Sequence, residues 1–461
     1  MKYYSAIVIL TLLLACSKKT VVTTTTATAD TARTKVAVVP LILMNDTIFH
    51  GSLEDIDRQT IGEMDLIRDT VESVSRYGAA GRNGAVILYT KDYLTYLDSI
   101  ENHVDSLKLQ FVGDVMGHNG QINSAYNSKD GSYDYNPVFQ QMKPLFERAD
   151  YTLANLEVTL AGAPYAGYPE FSSPDELAIA LKENGVDGLV TANNHSCDLG
   201  GPGLVRTIRV LDSLQMDHTG TFLDSADRAQ NNLLIIDKNN IRVGVLNYTY
   251  GTNYLPNPPP TLVNRIDSAL ILNDLKDAKL AKLDKLIAFM HWGKEYQHEP
   301  NTEQLILTSL LFDQGVDIII GSHPHVLQKM QWIKTSDTTE YLVCFSLGNF
   351  VSDQRTAPRD GGAIFELDLQ KKHGETHISN TGYYLTWVHK YRKHGKNNYE
   401  VLPAASFETN PDSTLSPYNL HKMQSFLKGS RALLDSSNIG IRELKYVSND
   451  PLESDSLSLH K

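Results

Sequence analysis

Five short apolar segments in the middle of the chain are each followed by a polar side chain. The predicted strands cover residues 109–112, 151–154, 188–192, 286–290 and 316–320. The polar residues that follow them are, in the same order, Asp114, Asn155, Asn193, His291 and His323. Segments with helical periodicity separate these strands, and this alternation predicts an α/β architecture. Open α/β sheets place their sites beyond the carboxyl ends of the strands, so we expect these side chains to lie near a site.

The segments around these strands predict a second sheet. Helical spacing covers residues 137–149, 174–184, 202–214, 268–283 and 301–314. Two β-type runs within 232–248 flank Asn239-Asn240, which predicts a hairpin. After residue 325 the pattern turns mostly β, through 331–334, 341–346 and 363–369. We therefore expect a layered sandwich rather than a single wound sheet.

Composition and charge disfavour several classes of protein. Of the 461 residues, 41% are hydrophobic and 21% are charged, which is typical of globular proteins. The formal net charge of −12 disfavours a nucleic-acid-binding protein. An acidic protein that binds an anionic substrate needs a positive feature such as a metal ion. Three cysteines are too few for a disulfide scaffold, and we expect Cys197 and Cys344 to be buried free thiols.

The first residues have the features of an export signal. An apolar run over residues 6–15 follows Lys2, and it is too short for a transmembrane helix but suits a signal peptide. Its end, LLAC, resembles the cleavage site of bacterial lipoproteins, which implies removal of residues 1–15 and lipidation of Cys16. We therefore expect a cell-envelope lipoprotein in the outer membrane of a Gram-negative bacterium; the alternative is an ordinary cleaved signal peptide. The Thr-rich segment 16–34 suits an extended tether.

Residues 35–92 predict a small α+β module ahead of the main domain. Residues 35–44 and 85–91 have the composition of strands, and residues 53–76 have helical spacing. The glycine-rich turn at 77–84 precedes a strand, whereas a phosphate-binding loop precedes a helix, so nucleotide binding is disfavoured. The sequence YGAAGRNGAVILYTK resembles the plug-type module of TonB-dependent receptors. This resemblance implies an interaction with another envelope protein.

The polar residues of the main domain supply ligand types for more than one metal ion. They include the carboxylates of Asp114 and Glu157, the amides near Asn193, and the imidazoles of His291 and of His323-Pro324-His325. Oxygen and nitrogen ligands without a thiolate suit Mn²⁺, Fe or Zn²⁺. A carboxylate shared by two ions would hold them roughly 3.5–4 Å apart, the spacing of dinuclear hydrolases.

Six motifs, in this order, resemble a known family. GDVM, ANLE, TANNHSCDLG, HWGKEY, GSHPHV and SLGNF are similar to the motifs of the CapA family of poly-γ-glutamate capsule synthesis. That family belongs to the calcineurin-like metallophosphoesterase superfamily. The resemblance implies a four-layer α/β/β/α sandwich over residues 107–403 with a site for two divalent metal ions. Residues 404–461 lie beyond the resemblance and predict a helical tail, with one amphipathic helix at 416–435.

The resemblance also implies roles for individual residues. The first metal ion would be bound by Asp114 and His325. The second would be bound by Asn194, His291 and His323, with Glu157 bridging both ions. His195 would act near the substrate as an acid or as a stabiliser of an oxyanion.

One position departs from the superfamily pattern. Met116 stands two residues after Asp114, where a ligand histidine is expected, and His118 is the candidate replacement. Further residues that would support the ligands or contact the substrate are His118, Asn155, Asn193, Glu295 and Asn349.

The implied function is that of a metal-dependent hydrolase or transferase. A metal-activated water would attack an acyl carbon or a phosphorus atom of poly-γ-glutamate or another anionic capsule polymer. Two alternatives stay open: a non-catalytic polymer-binding or export factor, and a phosphoesterase or nucleotidase.

Overall fold

The computed structural model describes residues 39–335, 340–409, 411 and 415–446. The predicted signal peptide, Cys16 and the Thr-rich tether lie outside these residues. The chain divides after His103 into two compact units, the second of which begins at Val104. Within the described residues, no helix combines the length and the apolar character that crossing a membrane requires.

The first unit contains a small mixed sheet with two helices. Its strands are β1 (Leu41–Met44), β2 (Thr47–Ile48), β3 (Ile61–Ile67) and β4 (Ala85–Thr90), and its helices are α1 (Thr70–Tyr77) and α2 (Lys91–Glu101). The strand order is β2-β1-β4-β3, with β1 parallel and β3 antiparallel to β4. The prediction of a helix over 53–76 is therefore wrong for residues 61–67. This segment is a strand because pairing with β4 lets Met64 and Leu66 pack against the sheet, and Asp69 then caps the start of α1.

The second unit is built on two large sheets. Its strands are β5 (Asp105–Val115), β6 (Tyr151–Leu156), β7 (Gly188–Val190), β8 (Asp217–Thr219), β9 (Thr221–Phe222), β10 (Leu234–Lys238), β11 (Ile241–Thr249), β12 (Leu262–Val263), β13 (Lys285–His291), β14 (Ile318–Ser322), β15 (Met330–Lys334), β16 (Glu340–Cys344), β17 (Asn349–Val351), β18 (Gly361–Lys372), β19 (Glu375–Lys393), β20 (Lys396–Pro403) and β21 (Arg442–Glu443). One sheet has the order β20-β19-β18-β5-β6-β7-β8, with β17 beside β5 and β21 beside β19. The other has the order β10-β11-β13-β14-β16-β15. The predicted hairpin around Asn239-Asn240 is confirmed as β10 and β11.

Among its described residues, the second unit also contains ten helices. They are α3 (Asn119–Ala125), α4 (Asn136–Phe139), α5 (Lys143–Phe146), α6 (Glu176–Glu183), α7 (Gly200–Ser213), α8 (Ser225–Asn231), α9 (Ser268–Leu280), α10 (Thr302–Asp313), α11 (Ala404–Thr409) and α12 (Pro417–Ser437). The continuous helix predicted for residues 137–149 is wrong. It is two short helices, α4 and α5, because Pro144 lacks a backbone N–H and stands in the first turn of α5.

Three apolar clusters define the layers of the second unit. The largest lies between the sheets and joins side chains such as Phe111 and Leu153 of one sheet to Val243 and Phe289 of the other. A second packs the outer face of the β5 sheet against α4, α5 and α6, and a third packs the outer face of the β13 sheet against α9 and α10. The order of layers is therefore helix, sheet, sheet, helix, and the predicted four-layer α/β/β/α sandwich is confirmed.

The carboxyl-terminal segment is part of this unit. Helix α12 places Met423, Phe426, Leu427 and Leu434 in the cluster between the sheets, where each is almost fully buried. The helical segment beyond residue 403 thus completes the central core. The two cysteines of the unit, Cys197 and Cys344, are buried free thiols, as predicted.

Candidate metal centre

The carboxyl ends of strands from both sheets meet at one place. Asp114 and Asn155 are paired neighbours on the parallel strands β5 and β6, and His291 and Ser322 are paired neighbours on β13 and β14. Asn155 joins the two sheets, because its Nδ2 lies 2.8 Å from Asp114 Oδ1 and 3.3 Å from His291 Nδ1. Side chains that are far apart along the chain therefore converge on one buried site.

Glu157, which follows β6, lies at the centre of this group. Its Oε1 lies 3.5 Å from His291 Nε2 and 3.8 Å from His325 Nε2. The side chain is fully buried, and neither carboxylate oxygen has a hydrogen-bond partner among the described residues. An ionised carboxylate in such a place is costly unless a cation compensates its charge. Glu157 therefore has the environment of a ligand rather than that of a structural residue.

The protonation preferences of the site come mainly from burial. Burial, reinforced by repulsion from Asp114, raises the pKa of Glu157 well above its ordinary value. Burial and the neighbouring histidines lower the pKa of His291 well below its usual range and lower the pKa of His323 to about 3. The imidazoles of His291 and His323 are thus neutral at physiological pH, which is the form that binds metal ions.

Two sets of three ligand atoms lie close enough to hold a metal ion. One consists of Asp114, Glu157 and His291, and the other consists of Glu157, His323 and His325; within each set the ligand atoms lie within 4.8 Å of one another. Glu157 belongs to both sets, as a bridging ligand would. The sets group His291 with Asp114, whereas the family resemblance implies that His325 shares an ion with Asp114.

Hydrogen bonds orient the ligand histidines. The Nδ1 of His325 lies 3.0 Å from Asp114 Oδ2 and 3.1 Å from Asn349 Oδ1, so its Nε2 faces the Glu157 side. The Nδ1 of His291 lies 2.9 Å from Ser322 Oγ, and its Nε2 lies 2.7 Å from Asn194 Oδ1. Such contacts set the ring orientation and the tautomer of a metal ligand.

The turn that carries His323 and His325 has an unusual backbone. Both residues have positive φ, 97° for His323 and 58° for His325. A conformation of this kind is rare for residues other than glycine and is concentrated at functional sites. It aims two imidazoles from one short turn into the same site. The Nδ1 of His323 has no hydrogen-bond partner among the described residues.

His195 lies at the edge of the centre and is held by a carboxylate. Its Nδ1 lies 2.7 Å from Asp198 Oδ2, which also accepts the backbone N–H of Phe171 at 2.7 Å. Burial raises the pKa of Asp198 despite the hydrogen bond from His195. Asn193 supports the turn, since its Oδ1 accepts the backbone N–H of His195. Asp198 was absent from the predicted set, although its position three residues after a candidate histidine is a signal that could have found it.

The remaining predicted residues lie around the centre in different roles. Asn349 contacts His325, and Asn155 contacts Asp114 and His291. His118 belongs to neither ligand set: its Nδ1 accepts the backbone N–H of Asp353 at 3.3 Å, and burial lowers its pKa to about 4. Met116 packs in the apolar cluster on the helix side of the β5 sheet. Glu295 is exposed and lines a cleft that also reaches His195.

The donor set fits divalent metal ions. Two buried carboxylates and three imidazoles supply oxygen and nitrogen ligands, and thiolates are absent from both sets. Ligands of this kind suit first-row transition ions. The unpartnered oxygens of Glu157 and the unpartnered Nδ1 of His323 are the polar atoms that such ions would satisfy.

Comparison with known proteins identifies relatives of the second unit. The family model described as bacterial capsule synthesis protein PGA_cap matches residues 108–354. The capsule biosynthesis protein CapA of Bacillus anthracis is 30% identical over 279 residues, which cover 58% of this chain and 64% of that protein. The PGA biosynthesis protein CapA of Bacillus subtilis (strain 168) is 27% identical over 278 residues, which cover 58% of this chain and 69% of that protein.

Solved structures show a more distant likeness. The calcineurin-like phosphoesterase YfkN from Bacillus subtilis matches with a TM-score of 0.36 and 14% sequence identity, covering 71% of this chain and 98% of that chain. The family model, by contrast, matches more than half of the 461 residues and includes every residue of both ligand sets. The protein therefore belongs to the bacterial capsule synthesis protein family PGA_cap.

Proposed function

We propose that this chain is a metal-dependent hydrolase or transferase that acts on a capsule polymer. The observation that carries the proposal is the environment of Glu157, a fully buried carboxylate without a hydrogen-bond partner that is shared by two sets of ligand atoms. A shared carboxylate is the feature of sites that hold two divalent ions. We therefore propose two ions, with Mn²⁺, Fe or Zn²⁺ as the candidates.

Different residues of the chain would have different roles in such a reaction. Divalent ions in a site of this type supply a nucleophilic water at neutral pH and polarise the bond under attack. Asp114, Glu157, His291, His323 and His325 would hold them. His195 has its Nδ1 against Asp198, so its Nε2 is the atom that exchanges a proton with the substrate. Asp198 keeps the ring in this orientation, as the carboxylate partner of a catalytic histidine does.

Family membership supports a proposal for the substrate class. Two relatives carry the names capsule biosynthesis protein CapA and PGA biosynthesis protein CapA. We propose poly-γ-glutamate or another anionic capsule polymer as the substrate, cleaved or transferred at an amide or phosphoester bond. The cations of the centre would offset the repulsion between a polyanion and a chain with a formal net charge of −12.

We also propose that the protein works at the cell envelope. The sequence LLAC at the end of an amino-terminal apolar run supports lipidation of Cys16 and anchoring in an outer membrane. The small sheet of the first unit, with its plug-like sequence, would contact another envelope protein. Mass spectrometry of the membrane fraction tests the anchor, since a diacyl or triacyl modification at Cys16 is the expected result.

The experiment that tests the activity combines metal analysis with a hydrolysis screen. The purified protein is expected to hold divalent ions and to cleave γ-glutamyl peptides or phosphodiesters in a metal-dependent manner. His291→Ala is expected to lose both the metal and the activity. His195→Ala is expected to keep its metal content but to lose about 10²–10⁴-fold in kcat, the usual contribution of a general acid or base. His421→Ala, which changes an exposed histidine of α12, is the matched control.

A second candidate function has its own supporting observation. Met116 packs among apolar side chains where a ligand histidine is expected. His118, the candidate replacement, accepts a hydrogen bond from the backbone N–H of Asp353 at its Nδ1. One ion site would then lack a ligand, as in a polymer-binding or export factor that no longer catalyses. Stoichiometric metal binding together with retention of polymer but no turnover would favour this second function.

A further inference from the structure

A cleft beside the metal centre is not used by the ligands. It has a volume of about 320 Å³ and reaches the ring of His195. The residues that line it include Tyr168, Glu170, His195, Asn253, Tyr254 and Glu295. A group bound here would lie beside His195, the proposed catalytic histidine.

Both walls of the cleft are fastened to the His195–Asp198 pair. The wall that carries Tyr168 is tied at Phe171, whose backbone N–H donates to Asp198 Oδ2 at 2.7 Å and whose ring packs edge-on against His195 at 4.7 Å. The wall that carries Tyr254 is tied at Asn253, whose Nδ2 lies 3.5 Å from His195 Nδ1 and whose Oδ1 accepts from Asn194 Nδ2 at 3.2 Å. The two tyrosines therefore stand at defined positions relative to the proposed catalytic histidine.

Both tyrosines are exposed to solvent, and Tyr254 in addition has a strained backbone. Tyr254 is 107% exposed and Tyr168 is 72% exposed, although large aromatic side chains are usually buried in part. Tyr254 also follows Asn253 in the left-handed region, with φ values of 62° and 50°. A bulky residue with positive φ is a backbone outlier that persists where its position serves a function. The turn at Asn253 and Tyr254 thus exposes the ring of Tyr254, although packing within the unit does not require this.

The charged side chains of the cleft are negative, whereas a site for a polyanion is expected to be positive. Glu170 and Glu295 are both exposed, and they line the cleft together with the tyrosines. Among the described residues that line it, none is a lysine or an arginine. A chain with one carboxylate per residue, such as poly-γ-glutamate, would be repelled here. A sugar ring fits better, because its C–H faces pack on aromatic rings and its hydroxyls donate hydrogen bonds to carboxylates and amides.

We propose that this cleft binds a sugar ring of the capsule polymer, adjacent to the anionic group that lies at the metal centre. The inference rests on the proposed function and narrows its substrate to an anionic glycan. Tyr168 and Tyr254 supply the stacking faces. Glu170 and Glu295 accept hydrogen bonds from the ring hydroxyls, and the amide of Asn253 accepts or donates them.

Binding of small probes to the metal-loaded full chain tests the proposal. Isothermal titration compares the 1-phosphates of glucose, galactose and N-acetylglucosamine with inorganic phosphate, with a γ-glutamyl dipeptide and with adenosine monophosphate. At least one sugar phosphate is expected to bind about tenfold tighter than inorganic phosphate. Tyr254→Ala and Tyr168→Ala are expected to remove this preference and to leave phosphate binding unchanged. Tyr418→Ala, which changes an exposed tyrosine of α12, is expected to keep the preference.

The possible outcomes separate this proposal from the proposed function. Sugar phosphates that bind no tighter than inorganic phosphate would overturn the sugar site, and so would tighter binding of the dipeptide or of the nucleotide. Metal uptake without a preference for sugar would support the proposed metal centre and would contradict the sugar site. The opposite result is a protein that takes up no metal but binds an uncharged N-acetylglucosamine trimer, with binding lost in Tyr254→Ala. This result would support the sugar site and would contradict the proposed metal centre.

Discussion

At the scale of single residues, the burial of Glu157 decides the properties of the site. Its carboxylate is withdrawn from solvent, lies near Asp114 and has no hydrogen-bond partner among the described residues, so burial raises its pKa. In the absence of a cation, such a group destabilises the folded state. In the presence of one, the same group becomes a strong ligand. Stability and metal binding should therefore respond in opposite directions when its charge is removed.

Glu157→Gln is the substitution that tests this reasoning. The glutamine has nearly the same volume but no charge, so the metal-free variant is expected to unfold at a Tm equal to or above that of the metal-free wild type. Added Mn²⁺ or Zn²⁺ is expected to stabilise the wild type, by about 2.7 kcal/mol at a hundredfold excess over Kd, and to leave the variant unchanged. Thermal melts with and without metal, together with elemental analysis, measure both effects. A variant that still gains stability from metal would contradict the role of Glu157 as a ligand.

At the scale of elements, the position of Asp114 depends on how closely β5 approaches the turn before β17. The backbone N–H of Asp114 donates to Gly348 O at 3.0 Å, and an added Cβ at Gly113 would lie 2.1 Å from that same oxygen. Only glycine at position 113 allows this approach. The ligand carboxylate is thus placed by a contact between two backbones rather than by its own side chain.

Gly113→Ala is expected to displace β5 from Gly348 and to carry Asp114 with it. The expected loss is about 1–3 kcal/mol in the free energy of unfolding, typical of overpacking, with weakened metal binding as well. Gly429→Ala is the control. Position 429 lies within α12, and apart from the backbone of that helix no described heavy atom lies within 4 Å of the added Cβ, so the variant should gain up to about 1 kcal/mol. Urea denaturation and metal titration of both variants measure the contrast. Unchanged metal affinity in Gly113→Ala would show that the close approach is not needed for the site.

At the scale of the second unit, its two sheets are joined by polar contacts as well as by the apolar core. Asp284 precedes β13 of one sheet, and its Oδ1 lies 2.8 Å from Lys371 Nζ on β18 of the other. Burial opposes ionisation of Asp284. The hydrogen bonds from Lys371, from the backbone of Arg242 and from Thr376 outweigh it and hold its pKa below the ordinary value of 3.8. The ionised form is therefore favoured in the folded state.

Asp284→Asn is expected to lower the Tm, and the size of the effect should depend on pH. Because the pKa of Asp284 is lowered on folding, its stabilising contribution is complete above the unfolded pKa of about 4 and is lost as the pH falls through the lower folded value. The difference in Tm between wild type and variant should thus be largest near pH 7 and should shrink below pH 4. Calorimetry at several pH values measures it, with Asp277→Asn, an exposed residue of α9, as the control. A difference that is constant with pH would rule out the ion pair as its cause.

Much of the architecture followed from local patterns. The strands that end near Asp114, Asn155 and His291, the hairpin at Asn239-Asn240 and the helices α7, α9 and α10 are signalled by periodicity and turn residues within a few positions. The wrong predictions also came from local patterns. Residues 61–67 have apolar spacing that suits a helix as well as a strand, and pairing with β4 decided between them. In residues 137–149, Pro144 interrupted a spacing that otherwise predicts one helix.

The candidate site could be predicted as a set of residue types but not as an arrangement. The role of Asn253 and the cleft between Tyr168 and Tyr254 depend on contacts between segments that no short window contains. The same holds for the grouping of His291 with Asp114 across two sheets.

The amino-acid sequence was sufficient to specify an α/β sandwich, a family, and polar groups at the ends of strands, because strand and helix periodicity and short motifs are properties of neighbouring residues. The tertiary structure alone decided which of those groups share Glu157 and which side chains form the cleft beside His195. The physical reason is that burial, and with it the cost of an uncompensated charge, arises only when segments more than a hundred residues apart pack against each other and exclude water.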